Sequence, residues 1–101
     1  MKYAVKISKV AKEDLRDIYK YIAYDLLSPQ TALNQLDRLE QKIYSLENMP
    51  TKYRVYDKEI STEIRFIPVN NYCVFYKINE ENSIVDIIRV IYGGRNIENI
   101  L

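Results

Sequence analysis

The stretch that decides the fold reads IRFIPVNNYCVFYKI from Ile64 to Ile78, then SIVDIIRVIY from Ser83 to Tyr92, closed by Gly93-Gly94-Arg95. Both runs carry the β-branched and aromatic residues of strands, and Asn70-Asn71 and Glu80-Glu81-Asn82 supply turn residues between them. The pattern predicts a three-stranded meander over Glu63 to Val69, Tyr72 to Ile78 and Ile84 to Tyr92, with Tyr53 to Tyr56 a weaker strand candidate. On the central strand a period of two places Val74, Tyr76 and Ile78 on one face and Cys73, Phe75 and Lys77 on the other. Gly93 and Gly94 are the only glycines of the chain. They let the backbone turn freely and present Arg95, a planar and permanent cation, at the end of the sheet.

Upstream the period changes. Tyr3, Val5 and Ile7 alternate with Ala4, Lys6 and Ser8, which marks a half-buried strand, and Ser8 can cap a following helix. From about Lys9 to Leu27 the apolar positions Ala11, Leu15, Ile18, Ile22 and Leu26 recur at helical spacing, with Glu13, Asp17 and Lys20 turned away. Ser28-Pro29 ends this helix and starts a second one, with Ser28 as cap and proline in the first turn. Ala32, Leu36, Leu39, Ile43 and Leu46 form its packing seam, and Asn48-Met49-Pro50 stops it. So short a link makes the two helices an antiparallel hairpin. The expected architecture is α+β: an N-terminal strand and a helical hairpin packed on one face of an antiparallel-rich sheet of about four strands, all within a single domain spanning residues 1–101.

Composition limits the function. A chain of 101 residues, 48% hydrophobic, holds one core but not a core plus a deep substrate cavity, so a surface or shallow cleft is expected to act. Fifteen Lys and Arg against fourteen Asp and Glu give no overall basic charge for nucleic acid. With no histidine and the single Cys73, the usual zinc chemistry, histidine general bases and internal disulfides are excluded, and no metal or cofactor is expected. No apolar run approaches the roughly 18 residues of a membrane span and MKYAVKISK lacks a signal core, so the expected location is the cytoplasm, away from membranes.

The order of elements, with the motif from Tyr72 to Ile78 and that from Ile88 to Asn96, resembles the RelE/ParE superfamily of toxins from bacterial type II toxin–antitoxin pairs. The resemblance covers nearly the whole chain. It implies a growth-arresting toxin neutralised by a cognate antitoxin, with operator DNA reached only through that antitoxin. RelE-like members cut messenger RNA on the ribosome with basic side chains that stabilise phosphate, a task for which Arg95, Arg65 and Lys77 are the candidates here. The arginine those enzymes carry after the tyrosine of the central strand is replaced by Cys73, and Asn96 to Leu101 contains no tyrosine. ParE-like members poison DNA gyrase by binding it. Arg65 ahead of Pro68, the Tyr72 to Tyr76 strand and the Gly-Gly-Arg-Asn end look more like ParE, so gyrase is the favoured target and ribosome-dependent mRNA cleavage the alternative. A member that only represses its own operon with the antitoxin is a third reading.

Several residues have a structural reading beside the functional one. Arg65 and Arg89 lie among apolar strand neighbours, where pairing with Glu63 or Asp86 is as reasonable as a role in a site. Lys52, Arg54 and Lys58 interleave with Tyr53 and Tyr56, a pattern that can hold phosphates and stack bases, or else a solvated loop with its aromatics tucked under the sheet. Tyr21, Tyr24 and Leu27 recur every three residues on a side of the first helix away from its seam. A second apolar stripe is how a helix offers itself to another chain, so these three are the candidate antitoxin contacts, with self-association the alternative.

Overall fold

The computed structural model describes residues 2–57 and 63–93. The chain runs β1 (Ala4–Ile7), α1 (Lys9–Lys20), a π turn (Tyr21–Asp25), α2 (Pro29–Ser45), a 3-10 turn (Pro50–Lys52), β2 (Arg54–Asp57), β3 (Ile64–Val69), β4 (Tyr72–Asn79) and β5 (Ile84–Tyr92). The five strands form one sheet in the order β1-β5-β4-β3-β2. β1 lies parallel to β5, with Val5 opposite Val85, and the other neighbours are antiparallel. The α+β class is as expected, with one strand more than anticipated because the weak candidate before Asp57 does pair with β3.

Ser8 turns the chain from β1 into α1. Its Oγ accepts from the Ala11 N–H at 3.0 Å and donates to the Ile88 carbonyl at 3.2 Å, so the cap also ties the helix start to the sheet. Ala11 and Leu15 of α1, with Leu39, Ile43 and Leu46 at the C-terminal half of α2, pack on Ile67, Val69, Val74, Tyr76, Val85, Ile87 and Val90. Fully burying a leucine or isoleucine of this kind contributes about 1.5–3 kcal/mol. Phe75, Ile64 and Ile91 are buried on the other face, flanked by Tyr56, Phe66, Cys73 and Ile88, so the central strand alternates as its sequence predicts.

The hairpin departs from the expected pattern at its tip. α1 gives way to a π turn, in which the Leu26 N–H reaches back to the Tyr21 carbonyl at 3.1 Å. That wider turn moves later residues off the helical seam. Leu26, expected in the core, is 53% exposed, and the tip is held instead by Ile22, Ala23 and Ala32 with Ile18 and Tyr19. Ser28 occupies the N-cap of α2, but its hydroxyl donates to the Leu26 carbonyl at 3.2 Å rather than accepting from the first turn. Gly93 has no positive φ. Its missing side chain serves close approach, since a Cβ there would lie 3.3 Å from the Asn71 carbonyl oxygen that accepts the Gly93 N–H.

A β-bulge in β5 completes the packing. Phe75 faces Arg89 and Tyr76 faces Ile87, which leaves Ile88 without a cross-strand partner and returns Val90 to the helix-covered face. Asp14 of α1 clamps this irregularity. Its carboxylate receives Arg89 Nε at 2.8 Å, Arg89 Nη2 at 2.9 Å and the Val90 N–H at 3.0 Å. Arg89 therefore pairs with the helix and not with Asp86, and the hydrogen bond to Asp14 raises its pKa above the ordinary arginine value. Asp14→Ala would leave a largely buried guanidinium and the Val90 N–H without their acceptor, and is expected to cost about 3 kcal/mol in urea denaturation. Adding Arg89→Met should recover part of that loss; a single-variant cost below about 1 kcal/mol would make the pair no more than a surface bridge.

Candidate functional site

Of the three cations singled out for phosphate chemistry, Arg65 and Lys77 fall within the described residues, and these two lie on opposite faces of the sheet. Arg65 lies opposite Tyr76 in the β3–β4 register, on the face covered by the helices. Its Nη1 donates to the Tyr53 carbonyl at 2.6 Å and the Thr51 carbonyl at 3.0 Å, while Nη2 meets Glu63 at 3.1 Å. Lys77 follows Tyr76 on β4 and so emerges on the opposite face, with Asp86 as its cross-strand neighbour. Arg95 and Lys58 lie outside the described residues.

Arg65 works with Tyr76 to hold one loop. Tyr76 is fully buried and donates its hydroxyl to the Pro50 carbonyl at 2.6 Å. Three carbonyls of the segment from Pro50 to Tyr53 are thus captured by two adjacent strand residues. Burial pushes the Tyr76 phenol far above the ordinary tyrosine range, opposed in part by the nearby Arg65 cation. The loop presents Lys52 over the Tyr53 ring at 5.1 Å, with Arg54 exposed beside it. Its aromatics face inward, however. Tyr53 packs against the main core and Tyr56 makes edge contacts with Phe66 and Phe75, so neither ring is presented for stacking bases. Cys73 is half-buried, and burial raises its thiol pKa, which keeps it protonated and inert.

Tyr21, Tyr24 and Leu27 are 53, 66 and 82% exposed. The π turn spreads them around the helix. Tyr21 approaches Tyr72, whose phenol is raised first by burial and then by the neighbouring Tyr21 and Tyr92 groups, whereas Tyr24 stands edge-on to Tyr19 with ring centroids 6.4 Å apart. Leu27 has φ 53°, a left-handed conformation that costs a leucine about 1–2 kcal/mol, and little of its side chain is covered in return.

A groove that the sequence reading missed lies along α1. Ile7, Leu15, Tyr19 and Leu36 line it, with Lys12 and Arg16 on one wall and Glu40 on the other. Lys9, Lys12, Arg16 and Lys20 are all exposed and fall on one side of α1, and none takes part in an ion pair with the described residues. Their three- and four-residue spacing was visible in the sequence, but the apolar floor beside them needed α2 and β1 to be placed. An apolar channel with one basic wall accepts an amphipathic segment that carries carboxylates.

The sequence profile described as the ParE toxin of type II toxin-antitoxin system, parDE, matches residues 5–97. The chain belongs to the ParE toxin family. A chain from the chromosomal ParDE system of P. aeruginosa shares its fold with a TM-score of 0.75 at 16% identity, over 89% of this chain and 95% of that one. A chain of the RelBE2 toxin–antitoxin complex of Mycobacterium tuberculosis is similar with a TM-score of 0.65 at 20% identity, over 91 and 92% of the two chains. A RelE toxin variant of E. coli in the free state aligns over 100% of both chains with a TM-score of 0.67 at 15% identity. No curated protein sequence matches the chain. This ParE-family toxin shares its backbone with both ParE and RelE chains, so the side chains must distinguish their chemistries.

Tyr76 makes a pH prediction. In the unfolded chain its phenol ionises near about pH 10, while in the folded chain it stays protonated well beyond that, so the folded state binds the extra proton. The contribution is fully present below pH ~10 and is lost as pH rises from there toward the folded value, by up to ~1.4 kcal/mol per pH unit. Tyr76→Phe should remove that alkaline slope and cost about 1–3 kcal/mol at neutral pH, because the Pro50 carbonyl loses its donor. Urea denaturation of both proteins between neutral and alkaline pH reads the difference, and parallel curves would contradict it.

Proposed function

We propose that this ParE-family toxin arrests growth by binding a protein target, DNA gyrase, and is held inactive by a cognate antitoxin. The observation that carries the target assignment is the fate of Arg65. A guanidinium engaged by two carbonyls and a carboxylate, on the helix side of the sheet, is not free to stabilise a phosphate, and Lys77 stands on the other side. A phosphate-cleaving site needs its cations converged where charge develops. Binding a protein needs no such convergence.

The antitoxin is assigned to the groove and the hairpin tip. An amphipathic segment would set its apolar side on Leu15, Tyr19 and Leu36 and its acidic edge against Lys12 and Arg16, and end on Tyr24 and Leu27. Tyr21 borders the same tip. The strained backbone at Leu27 supports this reading, since stability alone would favour glycine there and binding would favour the leucine.

Induction of the chain in cells, with DNA and protein synthesis followed separately, tests the target. Gyrase poisoning gives DNA damage signalling with intact messages; an early halt in translation with cut messages would establish the ribonuclease reading instead. Arg95→Ala is expected to abolish growth arrest while the melting temperature stays unchanged, and persistent toxicity would remove Arg95 from the site. Leu27→Gly is expected to raise the stability of the free chain by about 1 kcal/mol and yet weaken antitoxin binding, opposite signs that calorimetry and a thermal melt read separately.

A further inference from the structure

The turn between β3 and β4 consists of two asparagines, and it touches both the helical layer and the end of β5. Val69 pairs with Tyr72, so Asn70 and Asn71 form a two-residue loop. Asn70 has φ 54°, a left-handed conformation that Asn71 does not share and that would cost glycine less. The side chain gives asparagine a different use. Its Nδ2 donates to Gln35 Oε1 of α2 at 3.1 Å, so the turn is tied to a helix far away in sequence. Gln35 is likewise a poor choice for packing alone. Its Nε2 is buried with no hydrogen-bond partner among the described residues, and a leucine would fill the place without leaving a donor unsatisfied. Two residues that each work against local stability meet in one hydrogen bond.

What that bond holds lies one residue further on. The Asn71 carbonyl accepts the Gly93 N–H at 2.8 Å, just beyond the terminal β4–β5 pair of Tyr72 with Tyr92. A Cβ on Gly93 would stand only 3.3 Å from the same oxygen, so turn and strand end meet backbone to backbone, with no flexible side chain between them to absorb a shift. Gly93 precedes Arg95 by two residues and shares a shallow cleft with Asn70, Asn71, Tyr72 and Tyr92. We propose that Gln35 and Asn70 are positioning residues: their bond fixes the β3–β4 turn, the turn fixes Gly93, and Gly93 sets the direction in which the chain leaves the sheet toward Arg95. The last step rests on the assignment of Arg95 to the toxic contact; the first two stand on the hydrogen bonds alone.

Tyr92-Gly93 is the only Tyr-Gly step of the sequence, so carbonyl-labelled tyrosine combined with nitrogen-labelled glycine gives Gly93 an NMR signal of its own in the free toxin. Gln35→Leu suits the helix and Asn70→Gly suits the turn, and each should leave the melting temperature within about 4 °C of the wild type. Each should nevertheless shift the Gly93 amide signal and speed its hydrogen exchange by about tenfold or more. Together they should do no more than the larger single change, because both remove the same bond. Survival of cells induced to make either variant should rise by about tenfold or more, the loss of potency that follows when a contact group is misplaced rather than removed. A Gly93 signal and exchange rate that neither variant moves overturn the positioning role. A moved signal with undiminished growth arrest, where Arg95→Ala does abolish arrest, overturns the step from Gly93 to Arg95. If Arg95→Ala itself leaves arrest intact, the assignment of Arg95 falls, and the Gly93 measurement still decides the role of Gln35 and Asn70.

Discussion

The buried phenol of Tyr76 is the constraint on which much of the rest depends. A tyrosine at the centre of the core brings in about as much apolar area as any side chain here, but its hydroxyl must find an acceptor or cost a few kcal/mol. The Pro50 carbonyl is that acceptor, so the segment after α2 must return beneath the helices to reach it. Arg65 sits directly opposite in the register and takes the next carbonyls of the same segment. One strand pair thereby fixes where α2 ends, where β2 begins, and what its arginine is able to do.

The proposed choice of a protein target draws on that arrangement. One fold can host different functions, so the side chains placed on it must decide between them. Among the described residues the face away from the helices carries Ile64, Phe66, Cys73, Phe75 and Ile91, with Lys77 on the same face and with Tyr56, Phe66 and Phe75 in mutual contact. Among the described residues Lys9, Lys12, Arg16 and Lys20 line one side of α1, beside an apolar channel.

The hairpin tip departs from the local preferences that the core obeys. Its π turn, the left-handed Leu27 and the exposed tyrosines each run against the local preference of the chain, while the core beneath them obeys it. The proposed antitoxin contact would restore there what the isolated fold gives up. The Asp14 clamp on the β5 bulge lies at the middle of α1 and anchors the helix to the sheet, away from the tip.

By itself the sequence determined the class of fold, its element order and the alternation of the central strand, because periods of two and of three to four residues report directly which side of an element leaves water. It also showed which chemistries the chain lacks, since a residue type that is absent cannot act. The Arg65–Glu63 pair was legible in the sequence, but the other partners of its arginines were decided only by tertiary structure. Arg89 joins Asp14 across most of the chain length, Arg65 joins carbonyls instead of phosphate, and Leu26 leaves the core because a single wide turn shifts the register. Periodicity averages over a helix and records neither a one-residue slip nor a contact between distant segments. A side chain that is polar at one end and long enough to reach several neighbours acquires its role only when the fold chooses among them.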